Sequence, residues 1–286
     1  MKKDSSSKEM QFRMSDIVRQ NYYYAIPADQ KTLIAMRYHA VTRAVNKVFW
    51  NSVSDTVHSF YVGSYGRGTA TKYSDIDVLM ELPQEQFDRY DARRGNGQSQ
   101  LLGALREAVQ QTYARTEIHA DGQIVKLLFS DGMKFELLPA LRHETIFGTV
   151  VYQYPDSNMG GKWLTANPKA EQAAIKKKDD ASNGLLRDTC KHIRCIHQEH
   201  FRSYHLSGIV IDSFVYHNIG DWHRVNPSAG EEGLPDGDYE TFLLNKGLLF
   251  SHLWKTAAPG SDATVDIGDS KECLIKILKR MAGGES

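Results

Sequence analysis

Cysteine is scarce in this chain: Cys190, Cys195 and Cys273 are the three among 286 residues. An odd number with no CxxC pair argues against a disulfide scaffold and fits a reduced, cytoplasmic compartment. An excess of one charge is also missing. Lys and Arg total 35, Asp and Glu total 35, and the formal net charge is zero. That balance removes the simplest electrostatic case for a protein that coats long nucleic acid. No apolar run approaches the roughly 18 residues that a membrane span needs, so no membrane partner is expected. The opening MKKDSSSKEMQFRMSD has lysines with no apolar stretch behind them, so no secretory signal is expected. No internal repeat is present. Hydrophobic residues make up 41% of the chain, enough to build a core in one large domain or two lobes.

The apolar pattern divides the chain. Leu33, Met36, Val41, Ala44, Val45 and Val48 recur at helical spacing and predict a long helix over 31–53. A strand over 58–62, a glycine-rich turn (GSYGRGT) and a second strand over 75–81 follow, the last ended by Pro83. DARRGNGQS reads as a loop, with Ser99 as N-cap of a helix reaching about residue 113. Alternation over 123–129 and 133–138 around Ser130-Asp131-Gly132 predicts a β-hairpin. After Pro155 the pattern turns helical. Helices are predicted over 168–178, 182–198, 207–219, 239–255 and 270–281, with a Gly/Pro-rich loop over 226–238. The expected organisation is a strand-bearing half with the first helix, residues 1–165, and a helical half, residues 166–286.

The chemistry concentrates in the segment 62–79, VGSYGRGTATKYSDIDVL. Asp75 and Asp77 lie two apart in a predicted strand, so they share one face while Ile76 and Val78 take the other. Two adjacent carboxylates repel unless a cation lies between them, and hard oxygen ligands suit Mg²⁺ or Mn²⁺. Gly63 and Ser64 end a strand and open a turn, where a backbone free of Cβ can approach a phosphate and a hydroxyl can donate to it. Arg67 can reach a phosphate or brace the turn. Two metal ions around an attacking hydroxyl and an α-phosphate call for a third acid. MKFELLPA supplies Glu136, a charge between Phe135 and Leu137 that is costly without a partner.

GS, then SDIDV eleven residues later, then an acid on a later strand resembles the nucleotidyltransferase superfamily of DNA polymerase β. The fuller wording is more specific. GSYGRGTATKYSDIDVLMELP, GNGQSQLL, DGQIVKLLFSDGMKFELLPAL, YPDSNMGGKW, TANPKAE and SGIVIDSFVYHNI together resemble the bacterial CD-NTases, most of all clade E. These are relatives of cyclic GMP-AMP synthase and oligoadenylate synthase that make cyclic oligonucleotides in CBASS anti-phage defence. The match runs from about residue 20 to beyond residue 250.

The resemblance implies an α+β fold: a polymerase β-like core with a mixed sheet and a C-terminal helical lobe, joined by the long N-terminal helix. It implies a synthase joining two NTPs into a cyclic dinucleotide. Clade E points to uridine, as cyclic UMP-AMP or cyclic di-UMP made from UTP and ATP, with a separate effector protein responding to the product. Asp75 and Asp77 would bind both metal ions and Glu136 the one that activates the 3′-hydroxyl. Glu in place of the superfamily's Asp is a departure that this branch tolerates. Gly63 and Ser64 would sit at the triphosphate. Lys191 matches a basic contact to it, with Arg187 and Arg194 on neighbouring turns, and Ser207 a contact to a terminal phosphate. His197 departs from the basic residue usual there. Asn167, in an Asn-Pro context found at the base pocket of uridine-using relatives, is equally a helix N-cap before a Pro at the first helical position. Both readings stand at this point. The rival activity is nucleotidyl transfer to an RNA end, a protein or a small molecule, which a basic appendage would favour.

Other clusters have blander readings. His192, His197, His200 and His205 near Cys190 and Cys195 match no standard zinc spacing. Tyr22, Tyr23 and Tyr24 are expected to be buried before they are expected to stack on a base. Tyr152, Tyr154 and Trp163 flank the junction between halves, where stacking on a base is the stronger expectation.

Overall fold

The computed structural model of the chain describes residues 24–146, 148–224 and 239–283. Tyr22, Tyr23 and the predicted 226–238 loop lie outside the described residues. The chain forms two compact units that interleave in sequence. One takes Pro27–Gly66 and Ser74–Pro168; the other takes Arg67–Tyr73 and the chain from Lys169 onward, together with residues 24–26.

The first unit opens with α1 (Ala28–Phe49), which buries Ile34, Val41, Ala44, Val45 and Phe49. Met36 and Val48, expected on that face, are exposed. The helix stops at Trp50, whose N–H bonds Asn46, and Asn51 turns to a φ of +48°, so it ends short of the predicted 53. Next come β1 (Ser59–Tyr61), a five-residue helix α2 (Gly63–Arg67), β2 (Ile76–Glu81), α3 (Gln84–Asp91) and α4 (Gly97–Gln110). Ser99 does not cap α4. Asn96 does, its side chain accepting the Ser99 N–H at 2.9 Å. Strands β3 (Glu117–Asp121), β4 (Ile124–Leu128), β5 (Lys134–Glu144), β6 (Val150–Asp156) and β7 (Lys162–Ala166) complete the unit.

Among the described residues these strands form a mixed seven-stranded sheet, ordered β1-β2-β5-β4-β3, with β6 pairing β5 and β7. β2 and β5 run parallel; the other pairs are antiparallel. Alternation along β5 sends Phe135 and Leu137 into the core and leaves Glu136 part-exposed. α1 packs on α4 and β2, and α4 on β3, β4 and β6.

The second unit is helical: α5 (Pro168–Ala181), α6 (Leu185–His200), α7 (Gly208–Asn218), α8 (Tyr239–Phe250) and α9 (Lys271–Met281). α6 starts three residues later than predicted because Asn183 and Gly184 take positive φ, and Ser182 accepts the Leu186 N–H from outside the helix. α8 ends at Phe250, five residues short of the predicted 255, and a hairpin of β8 (Lys255–Ala257) and β9 (Thr264–Asp266) fills the stretch between the last two helices. The core gathers Leu186, Ile193, Val210, Phe214, Leu243 and Ile277 among others. Cys190, Cys195 and Cys273 are buried free thiols. Among the described residues no helix is long and apolar enough to cross a membrane.

Candidate active site

The parallel pairing of β2 with β5 sets Asp77 directly opposite Glu136, in register with Ile76 opposite Phe135. The sequence predicts Asp75 as the first residue of the strand, but it lies one position before it, since β2 begins at Ile76. Ile76 and Val78 are buried, so the strand holds its acids by anchoring the residues beside them. Immediately upstream, the Val62 N–H donates to the Asp77 carbonyl at 2.9 Å, which brings the Gly63-Ser64 turn against Asp77. Gly63 has a φ of +58°, and a Cβ there would overlap the Asp77 carboxylate. Gly63, Ser64, Asp75, Asp77 and Glu136 all belong to the sheet unit.

The electrostatics of the acids suit cation ligands. Burial pushes the Asp75 carboxyl above the usual carboxylate range, while Lys134 and Lys126 pull it back. Glu136 is also pushed up, first by burial and then by the charge of Asp75. The lysine ammonium groups lie close: Lys134 is 3.8 Å from Asp75 and Lys126 is 4.0 Å from Glu136. Lys126 is held more tightly by Asp121, at 2.7 Å. Among the described residues no three His, Cys, Asp or Glu side chains converge as an ion's ligand set. Asp77 and Glu136 thus face each other across the parallel pairing and the charge of Asp75 acts on Glu136, with lysines supplying the counter-charge. Hard oxygen donors under such repulsion match the chemistry of a divalent cation. The two lysines carry no motif. Their signal in sequence is the same alternation that exposes Glu136.

The remaining candidates belong to other elements. Asn167 directly precedes Pro168, the first residue of α5. Lys191 and Ser207 belong to the helical unit. Lys191 lies on α6 with its ammonium 3.7 Å from Asp188. Its neighbours are committed to structure. Arg194 is buried, 2.7 Å from Asp212 and bonded to the Gly208 carbonyl; Arg187 donates to the Arg67 carbonyl at 3.0 Å. Ser207 precedes α7, and its N–H donates to Ser270 Oγ at 3.1 Å. His197 bonds the Tyr204 carbonyl at 2.9 Å through Nε2.

Arg67 resolves the choice left by the sequence: it braces. Its guanidinium is buried and donates to Asp212 and Glu171. Tyr152 corrects an expectation. It is fully buried against Val62, Leu79 and Ala140 and cannot stack on a base. Trp163 donates its Nε1–H to Asp91 at 2.8 Å, and Tyr24 donates its hydroxyl to Glu199 at 2.6 Å.

A mixed sheet that sets a GS turn beside acid-bearing parallel strands defines a nucleotidyltransferase core. Residues 23–179, more than half of the chain, match the model of the Second Messenger Oligonucleotide or Dinucleotide Synthetase domain (SMODS). The chain belongs to this family, the nucleotidyltransferase enzymes of the bacterial CD-NTase class. Solved structures agree in fold. The CdnE c-UMP-AMP synthase of Rhodothermus marinus, solved with Apcpp and Upnpp, is similar at 13% identity and a TM-score of 0.62, over 95% of this chain and 97% of that one. The CdnE synthase of Elizabethkingia meningoseptica, solved with GTP and Apcpp, is similar at 14% identity and a TM-score of 0.58, over 85% and 88%. The CD-NTase CdnG of Bradyrhizobium diazoefficiens, in complex with GTP, is similar at 11% identity and a TM-score of 0.61, over 93% and 88%. No curated protein sequence matches the chain.

Proposed function

We propose that this protein is a metal-dependent synthase that joins two nucleoside triphosphates into a uridine-containing cyclic dinucleotide, c-UMP-AMP or cyclic di-UMP, for anti-phage signalling. The observation that carries the reading is the placement of Asp77 opposite Glu136 on parallel strands, with Asp75 beside them and Gly63-Ser64 against Asp77. The uridine assignment draws on the clade E resemblance and on the fold shared with the c-UMP-AMP synthase of Rhodothermus marinus.

Asp75, Asp77 and Glu136 would hold two Mg²⁺ or Mn²⁺ ions. When bound, such ions stabilise negative charge on the attacking and leaving oxygens. The chain's own residues do the rest. Ser64 offers a hydroxyl to the triphosphate, and Gly63 leaves the space that lets its turn lie against Asp77. Lys191 and Ser207 are candidate nucleotide contacts of the helical unit. Asn167 offers an amide donor and acceptor that match uracil N3–H and a carbonyl oxygen. The reaction transfers a nucleotidyl group twice. A 3′-hydroxyl gives up its proton to solvent as its oxygen bonds the α-phosphorus, the bond to the β-phosphate oxygen breaks, pyrophosphate leaves, and the linear product undergoes a second such transfer, again releasing pyrophosphate, that closes the ring. A distinct effector protein would respond to that ring.

The test is incubation with all four NTPs and Mg²⁺ or Mn²⁺, with phosphatase-resistant products identified by mass. A uridine-containing cyclic dinucleotide is expected. The Asp75→Asn/Asp77→Asn variant should fold and lose several orders of magnitude in product, as sites dominated by electrostatic stabilisation do. Near-normal turnover in a folded double variant overturns the metal site, and a purely purine product overturns the base assignment.

A further inference from the structure

Between the Gly63-Ser64 turn and the aspartate pair, the chain leaves one compact unit and returns to it. Gly66 and Ser74 belong to the sheet unit, whereas Arg67–Tyr73 belongs to the helical one. Arg67, Thr69, Ala70 and Thr71 of this excursion are buried. Arg67 Nε donates to Asp212 Oδ2 at 2.8 Å, and its Nη1 donates to Glu171 Oε2 at 2.9 Å. The Thr69 hydroxyl donates to the same Asp212 oxygen at 3.0 Å. Asp212 is fully buried, and Arg194 lies 2.7 Å from its other oxygen. Arg187 ties the Arg67 carbonyl, and a Cβ on Gly68 would come within 2.8 Å of the Arg187 Nε.

Burial alone would push the Asp212 carboxyl up; Arg194 and Arg67 outweigh it and hold the group ionised. A buried ionic cluster of this kind is not a cheap source of stability, since apolar packing of equal volume often does as well. What it fixes is geometry, because a planar guanidinium shared between two carboxylates accepts few arrangements. Ser64 lies three residues before Arg67, and Asp75 lies two residues after Tyr73. A shift of the anchored segment therefore passes along the backbone to both.

We infer that Arg67, Thr69 and Asp212 are positioning residues for nucleotidyl transfer: their buried network pins the 67–73 segment and thereby sets the Ser64 turn and the Asp75 carboxylate. This rests on the reading of Ser64, Asp75, Asp77 and Glu136 as the reacting site.

Thr69→Val tests it, because the change keeps the volume and removes the hydroxyl given to Asp212. Thr69→Ser keeps the hydroxyl. In the full chain, Thr69→Val should lower kcat about 10- to 100-fold, as small misplacements of reacting groups do, with KM for the NTPs within about twofold. Thr69→Ser should recover most of the rate. Amide hydrogen exchange over 62–77 should quicken in Thr69→Val while the β4–β5 hairpin stays protected. Glu171→Gln, which keeps an acceptor for Arg67, should move both readouts in the same direction if Thr69→Val fails to fold. The inference is overturned by wild-type kcat and exchange in folded Thr69→Val, or by a raised KM at unchanged kcat, which would place the segment on substrate instead. The Asp75→Asn control separates the two readings. It should abolish product without quickening exchange over 67–73. A wild-type chain that makes no product from any NTP pair refutes the proposed function, while the exchange comparison still decides whether the network pins the segment.

Discussion

Gly63 shows how narrowly a single residue is fixed here. Its φ of +58° favours glycine, and a Cβ would overlap the Asp77 carboxylate, so Gly63→Ala offends twice. Product formation should fall at least about 100-fold, with a melting temperature only a few degrees lower, because the collision is with a carboxylate proposed to serve the reaction and not with the core. Scanning calorimetry beside a product assay checks this; an active Gly63→Ala variant would separate the turn from Asp77. Asn167→Ser tests base reading at the same scale. Serine is as good an N-cap residue as asparagine before Pro168, so the fold should hold whichever role Asn167 has. A hydrogen-bonding amide lost from uracil costs about 1–3 kcal/mol, so uridine incorporation should fall by one to two decades in competition with purine NTPs. An unchanged base ratio leaves Asn167 as a cap alone. The acids were legible in the sequence because alternation puts Asp77 and Glu136 on accessible faces between buried neighbours. Arg67 was ambiguous, since its partner Asp212 lies 145 residues away and no local pattern points to it.

At the scale of elements, strands that pair locally were legible and those that switch partners were not. The hairpin of β4 and β5 follows from alternation around its turn. The extension of β5 to Glu144 does not, because Pro139 reads as a strand end. The proline is tolerated where β5 changes neighbours: pairing with β4 stops at Leu137 and pairing with β6 begins at Leu141. No antiparallel partner awaits an N–H at Pro139, so its missing donor costs nothing there. Helix α6 supplies an element-scale test. His192 is buried on it with Nδ1 unpartnered among the described residues, and burial lowers its pKa to about 4, with Glu199 opposing. The folded state therefore resists a proton that the unfolded chain accepts from about pH 6.5 downward. The stability that depends on neutral His192 is present above that pH and is lost as pH falls through about 4, up to about 3 kcal/mol. His192→Leu should flatten the acid limb of a denaturation series between pH 6.5 and 4 and leave neutral stability equal or higher. An unchanged acid limb would show that other groups govern it.

For the whole molecule, the zero net charge limits the range of partners. Binding to phosphate backbones draws on counterion release by Lys and Arg, and an evenly balanced chain has little excess cation to spend on it. Duplex DNA or RNA should neither bind more tightly than about a micromolar at physiological salt nor stimulate product formation. Fluorescence anisotropy with a labelled duplex measures the first and product yield the second; tight, salt-sensitive binding would reveal a basic groove that the composition hides.

The excursion of Arg67–Tyr73 into the helical unit also has a consequence for synthesis on the ribosome. Arg67 emerges long before Asp212, and at about 5–20 residues per second the separation of 145 residues amounts to roughly 7–30 seconds. During that interval β1 and the chain through β7 are available, so the sheet can begin to assemble while the guanidinium of Arg67 stays in water. With the positioning role inferred for Arg67 and Asp212, the GS turn and the aspartate pair should reach their final setting only when α7 arrives. On that inference, a chain truncated before α7 should form no product even where its sheet assembles.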